Sequence, residues 1–330
     1  MTSLEAIRCT ECQTEIAPGL LSCPSCARMV HADELRELAR RADEAQRNSN
    51  WTEALTAWRQ AVQYLPPGTR QRDLAEARIR DLSARVDSGA DRKSDPWWKR
   101  ASALGPVGVV AAILGKAKFL LLGFTKFGTL LSFAAGLSVY WALWGWKFAL
   151  CFLLSIYVHE MGHVAALHRY GIAASAPTFI PGLGAFVRLK QHPATEKEDA
   201  RVGLAGPVWG LFASLFALAL YAATGNPLFA AVARAGAWLN LFNLIPVWQL
   251  DGSRGIRSLN RAQIWLLALL AAAMWMFVED GMLALAALLL AFRAATKRES
   301  PEPDWRGMIQ FAGLIVTLSL LCLIPLPAKP

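Results

Sequence analysis

Charged and polar residues dominate the first hundred positions of the chain, whereas long apolar runs separated by short charged loops make up most of 101–330. A helix needs about 20 mostly apolar residues to cross a bilayer core. Runs approaching that length fall near 127–145, 147–168, 202–222, 228–248, 262–278 and 307–325, and a shorter one lies near 282–295. The pattern predicts an α-helical polytopic membrane region of about seven spans behind a small soluble region. In the soluble region, 33–47 places Leu35, Leu38, Ala42 and Ala45 on one helical face. Asn48-Ser49-Asn50 interrupts the pattern, and a second helical run extends from Trp51 to Tyr64. Pro66-Pro67 ends that run, and a third helix is expected over about 70–85.

Composition sharpens this division. At 55% hydrophobic residues in 330, the chain is too apolar for an ordinary soluble protein of its length. The net charge of +9 would suit a nucleic-acid binder, but the placement of the basic residues gives a simpler source. If the chain enters the 127–145 run from the cytosol, one side receives Lys116, Lys118 and Lys126, then the basic loops 169–201, 254–261 and 293–306. The other side receives the turn near Gly145, the uncharged 223–226 turn and Glu279-Asp280, with Lys147, Lys329 and a snorkelling Arg234 as its only cations. This asymmetry predicts cytosolic basic loops and a cytosolic N-terminus, in the inner membrane if the cell is bacterial. The lipid bilayer is then an expected partner and nucleic acid is not. Met1 to Arg8 lacks the apolar core of a secretory signal. The run 103–122 is apolar enough to span but would invert every later loop. Its glycines, Pro106, Lys116 and Lys118 suit a helix lying in the interface.

Four of the six cysteines fall as Cys9-x-x-Cys12 and Cys23-x-x-Cys26. Such paired knuckles suit tetrahedral thiolate ligation of a structural zinc in a zinc ribbon, and a cytosolic location argues against disulfides. The helical pair that follows is similar to a single tetratricopeptide repeat, and equally to a plain hairpin packed on the ribbon. The expected organisation is a zinc ribbon at 1–30, a helical module at 31–86, a linker and interfacial anchor at 87–100, and a membrane domain at 101–330. Residues 1–86 read as a docking module for a cytosolic protein partner.

The most specific chemistry sits inside an apolar run. His159-Glu160-Met161-Gly162-His163 follows FALCFLLSIYV with no intervening charge. Ionisable groups at membrane depth are costly, which makes them candidates for function. Residues i and i+4 share a helical face, so His159 and His163 can offer imidazoles to one metal ion, with Glu160 beside them as a base. Asn243-Leu-Ile-Pro246-Val-Trp-Gln-Leu250-Asp251-Gly252 brings a carboxylate from a second run toward the same side. Two histidines and one carboxylate form a hydrolytic zinc set that leaves a position for water. Taken alone, Asp251 would read as a helix cap.

Over roughly 120–260 the chain resembles the site-2 protease family of intramembrane zinc metalloproteases. His159, Glu160 and His163 match its HExxH, and Asn243, Pro246 and Leu250-Asp251-Gly252 match its Asn-x-x-Pro and LDG elements. Ala205-Gly206-Pro207 is a further family element, and Ser253 replaces a second glycine often found there. The resemblance implies Asp251 as third zinc ligand and Glu160 as general base. Asn243 is a candidate helper for the oxyanion. Between these motifs, Phe179-Ile180 and Phe186-Val187 flank Pro181-Gly182-Leu183-Gly184, which predicts a re-entrant β-hairpin able to bind an unwound substrate by strand addition, with a membrane-surface loop as the alternative. The expected activity is zinc-dependent hydrolysis of a peptide bond in a membrane-spanning protein substrate near the cytosolic side, in regulated intramembrane proteolysis. It uses one catalytic and one structural Zn2+. A silent membrane adaptor is disfavoured by Glu160, because structural zinc needs no base. A metal transporter is disfavoured because the polar groups gather at one depth rather than along a path.

Overall fold

The computed structural model describes residues 7–89, 127–182, 184–189, 191–297 and 302–326. The expected interfacial helix at 103–122 and the anchor at 96–100 lie outside the described residues. Two compact units result: residues 7–89 together with Arg169–Ile172, and the remaining described residues.

The first unit opens with β1 (Ile7–Arg8) and β2 (Glu15–Ile16), an antiparallel pair that encloses the first cysteine knuckle, while a bridge between Ser22 and Met29 encloses the second. Three helices follow, α1 (Ala32–Arg47), α2 (Trp51–Gln63) and α3 (Arg70–Ser88). The sequence signals explain their ends. The Asn50 side chain caps α2 at Glu53 N, Thr69 caps α3 at Arg72 N, and α3 stops at Gly89 in the left-handed region. Ala42, Ala45, Ala54 and Ala57 are buried, and these small side chains let α1 and α2 approach closely around the buried Leu55. The same unit holds the short segment Arg169–Ile172. Buried Arg59 donates from Nε to the Tyr170 carbonyl at 2.9 Å, Thr52 donates to the Arg169 carbonyl at 3.0 Å, and Arg169 donates to the Val86 carbonyl at 2.7 Å. Nothing in the local sequence pattern signals this grip.

The second unit is a helical membrane bundle. It contains α4 (Phe127–Trp144), α5 (Trp146–Arg169), β3 (Thr178–Ile180), β4 (Gly184–Phe186), α6 (Glu196–Thr224) and α7 (Pro227–Asn243). It continues with α8 (Asp251–Gly255), α9 (Arg261–Val278), α10 (Gly281–Thr296) and α11 (Trp305–Cys322). Each of the seven apolar runs becomes a helix, and five of these helices are long and apolar enough to cross a membrane. Exposed Phe212, Phe216, Leu269, Met276 and Phe277 are the outward apolar faces expected of a protein solvated by lipid.

Two boundaries differ from the sequence expectation. The 228–248 run is helical only to Asn243. Pro246 supplies no amide donor and disfavours helical backbone at Ile245, so the chain turns before Asp251 instead of continuing as a loosened helix. In the other direction, α6 starts at Glu196, well before the apolar run. The Thr195 side chain caps it, and Glu196, Glu198 and Asp199 fill its positively polarised first turn.

Packing centres on α6, α7, α9 and α11, where Leu204, Leu241, Ile264, Leu267, Phe311 and Leu318 form one buried cluster. Buried Arg201 ties α6 to the start of α11 through Asp304 at 2.7 Å, and Ser258 donates to the same carboxylate at 2.7 Å. Because both charges are buried, removing either partner would strand the other, a loss of about 3–5 kcal/mol.

Candidate metal centre

Three side chains converge where α5, α6 and α8 meet. His159 and His163 sit one turn apart on α5, and Asp251 is the first residue of α8; all three are buried. The two Nε2 atoms are 3.2 Å apart, His159 Nε2 lies 3.1 Å from Asp251 Oδ2, and His163 Nε2 lies 3.3 Å from Oδ1. Donors placed about 2.0–2.1 Å from a tetrahedral ion are separated by about 3.3 Å, and the imidazole pair and each imidazole's nearest Asp251 oxygen stand close to that separation.

The outward ring nitrogens explain the inward orientation. His163 Nδ1 is 2.8 Å from the Val202 carbonyl, which can only accept, so Nδ1 carries the proton and Nε2 presents a lone pair. His159 Nδ1 is 2.7 Å from Asn240 Oδ1, while the Asn240 amide donates to the Gly236 carbonyl at 2.7 Å. Asn240 is therefore oriented from behind and orients His159 in turn. Two imidazole lone pairs and a carboxylate that converge without a proton between them are a cation site.

Glycines allow this convergence. A Cβ on Gly206 would collide with both imidazole Nε2 atoms, and one on Gly210 would collide with the Asn240 amide. A Cβ on Gly252 would collide with the Leu244 backbone, so α8 can tuck beneath the end of α7 only with glycine there. The short α8 is tied down from α6. Arg254 Nε and Nη2 lie 2.8 and 2.6 Å from Asp199 Oδ1, and Arg257 reaches Oδ2 at 2.7 Å.

A cavity of about 1440 Å³ opens over the cluster. Glu160, Asn243, the β4 residues and Trp248 all line it. Trp248 is 96% exposed and has left-handed backbone (φ 48°), directly before the turn into Asp251. The β-hairpin forms with Thr178 opposite Phe186 and Ile180 opposite Gly184. Of the residues singled out in the sequence, His159, Glu160, His163, Asn243 and Asp251 come together at this cavity. The sequence reading missed Asn240 and Asp199. A lone asparagine in the apolar run AWLNLF was the available signal for the first.

The second cluster is the ribbon. Cys9 Sγ is 3.6 Å from Cys26 Sγ, and Cys12 Sγ is 3.5 Å from Cys23 Sγ. Tetrahedral thiolates at about 2.3 Å from zinc are separated by about 3.75 Å, so four free cysteines stand at near-ligand spacing. Hydrogen bonds with the Thr14 side chain and backbone pull the Cys12 thiol down to about 6. Cys26 is pushed up to about 12: backbone bonding from Arg28 pulls the other way but is outweighed by Cys12, burial, Cys9 and Cys23.

A buried His-His-carboxylate set inside an apolar helical bundle is the donor chemistry of membrane metallopeptidases. In agreement, residues 147–235 match the profile of peptidase family M50. The match takes in His159, Glu160, His163 and Gly206 and ends before Asp251. The chain is 28% identical over 127 residues to a zinc metalloprotease of Methanocaldococcus jannaschii, covering 37% of this chain and 35% of that protein. It is 32% identical over 135 residues to Rip3 of Mycobacterium tuberculosis, whose name assigns it provisionally to the same class, covering 38% of this chain and 33% of Rip3. The chain thus matches about a third of the length of these relatives. No solved structure matches it.

Proposed function

We propose that the protein is an intramembrane zinc endopeptidase that hydrolyses a peptide bond of a membrane-spanning protein on the side of the basic loops. One observation carries this reading: two imidazoles and a carboxylate meet at tetrahedral-edge spacing on the wall of a cavity that also holds Glu160. His159, His163 and Asp251 would hold the ion. Zinc held there would supply Lewis acidity for peptide hydrolysis. Glu160 takes the proton from the attacking water and returns it to the leaving amine. Asn243 lines the same cavity, which supports a role as donor to the oxygen that gains charge. A helical substrate must unwind before attack, and the β4 edge offers backbone partners for an extended segment.

In this reading the basic loops and the N-terminus are cytosolic. The cysteine ribbon holds a second, structural zinc, and residues 1–86 recruit a cytosolic protein partner. The test is co-expression with a panel of single-span proteins, comparing the native chain with Glu160→Gln. Product from the native chain alone, at equal zinc content, is the expected result. Equal product from both would sink the reading.

A further inference from the structure

The wall of the cavity carries charge that the hydrolytic chemistry does not use. Apart from Glu160 and the three metal-binding side chains, its cationic lining is Arg188, Arg254, Arg257, Arg293 and Lys297, set against Glu196 and Asp199. Arg254 and Arg257 share the single Asp199 carboxylate, which leaves one positive charge from that trio. Lys297 donates to the carbonyls of Arg257 and Leu259 at 3.0 and 2.6 Å and feels Glu196. Arg188, two residues after β4, holds its guanidinium 5.5 Å from the Phe186 ring centre, and Arg293 is exposed on the last turn of α10. Among the described residues, the lining outside the metal cluster therefore carries a net excess of three positive charges.

We propose that these residues select the substrate, favouring a membrane-spanning protein whose flank beside the scissile bond is acidic. The inference rests on the peptidase reading and adds the substrate class to it. The cavity opens among the basic loops. By the charge rule that orients membrane proteins, other spans also carry lysine and arginine on that side. A concave basic wall repels those ordinary flanks and focuses its field on the uncommon acidic one. Arg188 stands beside the β4 edge, so an extended segment paired there brings its side chains past a fixed cation. Anionic lipid is the rival occupant of any basic surface near a membrane. Here the cations line the same cavity as His159, Glu160 and His163, which favours a peptide that has to reach those groups.

The experiment uses the full chain, zinc-loaded, in zwitterionic vesicles. The substrates share one span and differ only in a short flank that is acidic, neutral or basic. The acidic flank is expected to be cleaved about tenfold faster than the basic one, with the preference shrinking as salt rises. The double variant Arg188→Glu, Arg293→Glu should lose or invert that ratio. Equal cleavage of all flanks overturns the proposal and leaves the peptidase reading standing. So does a preference that survives the double variant. A ratio that appears only when anionic lipid is added assigns the arginines to lipid and also overturns it. Cleavage of no substrate at all, with zinc bound, counts against the peptidase reading itself.

Discussion

Asn240 and His159 form a buried pair, with Asn240 Oδ1 2.7 Å from the His159 ring nitrogen that faces away from the metal-binding cluster. The pair joins α7 to α5 and decides which way the imidazole points. Asn240→Ala removes the acceptor and leaves Nδ1–H buried without its partner. The expected outcome is a loss of about 10–100-fold in metal affinity, with Asn240→Asp retaining most of it. Cobalt titration separates the two centres, because thiolate-bound cobalt has a charge-transfer band that a histidine–carboxylate site lacks.

Gly206 makes a sharper prediction. Because a Cβ there meets both imidazoles, Gly206→Ala should empty the histidine site while leaving the cysteine cluster loaded. Metal analysis of the purified variant would then show half the zinc of the native protein, with unchanged helical content. Undiminished zinc at the histidine site would contradict the packing described.

The Asp199–Arg254 pair holds a five-residue helix that is too short to be stable alone. Arg254→Lys keeps the charge but loses the fork at Oδ1, freeing Asp251 to drift. A displacement of about 1 Å can cost about a hundredfold in rate. We expect a fall of that order in kcat at saturating zinc, and Asp199→Asn to behave similarly. Normal turnover by both variants would remove the pair from the positioning scheme.

Acidity provides a test of the ribbon. Cys12 is lowered to about 6 from an ordinary thiol value of 9.0, so the folded metal-free ribbon binds fewer protons than the unfolded chain between those values. Its contribution to stability is full above about pH 9 and is lost as pH falls through about 6. Cys26 has the opposite sign, contributing below about pH 9 and losing that contribution as pH rises toward 12. After chelation near neutral pH, Cys12 should be the first ribbon cysteine alkylated, as mass spectrometry of the peptides would reveal, and Thr14→Val should slow it.

Much of this was legible in the sequence because it depends on local spacing. The i, i+4 histidines, the paired cysteine knuckles, the apolar runs and the Pro-Gly turn of the hairpin each report a period or a fixed offset. Asn240, Gly206 and Asp199 were harder, because their roles arise where helices cross and no local period records a crossing. Asn243 attracted attention through its motif, yet the asparagine three residues earlier is the one that faces His159. The early stop of α7 followed from Pro246, but the tuck of α8 beneath it required the contact between Gly252 and Leu244.

His163 and Asp251 are far apart along the chain, with all of α6 and α7 between them. A ribosome therefore releases the two imidazoles well before the carboxylate, and the growing chain holds a pair of donors with no third. Hydrolytic competence has to wait until α8 has been made and seated against α6. On the proposed reading, a peptidase that shares its membrane with every newly inserted span is in this way kept harmless to its neighbours during its own synthesis by the order of its residues.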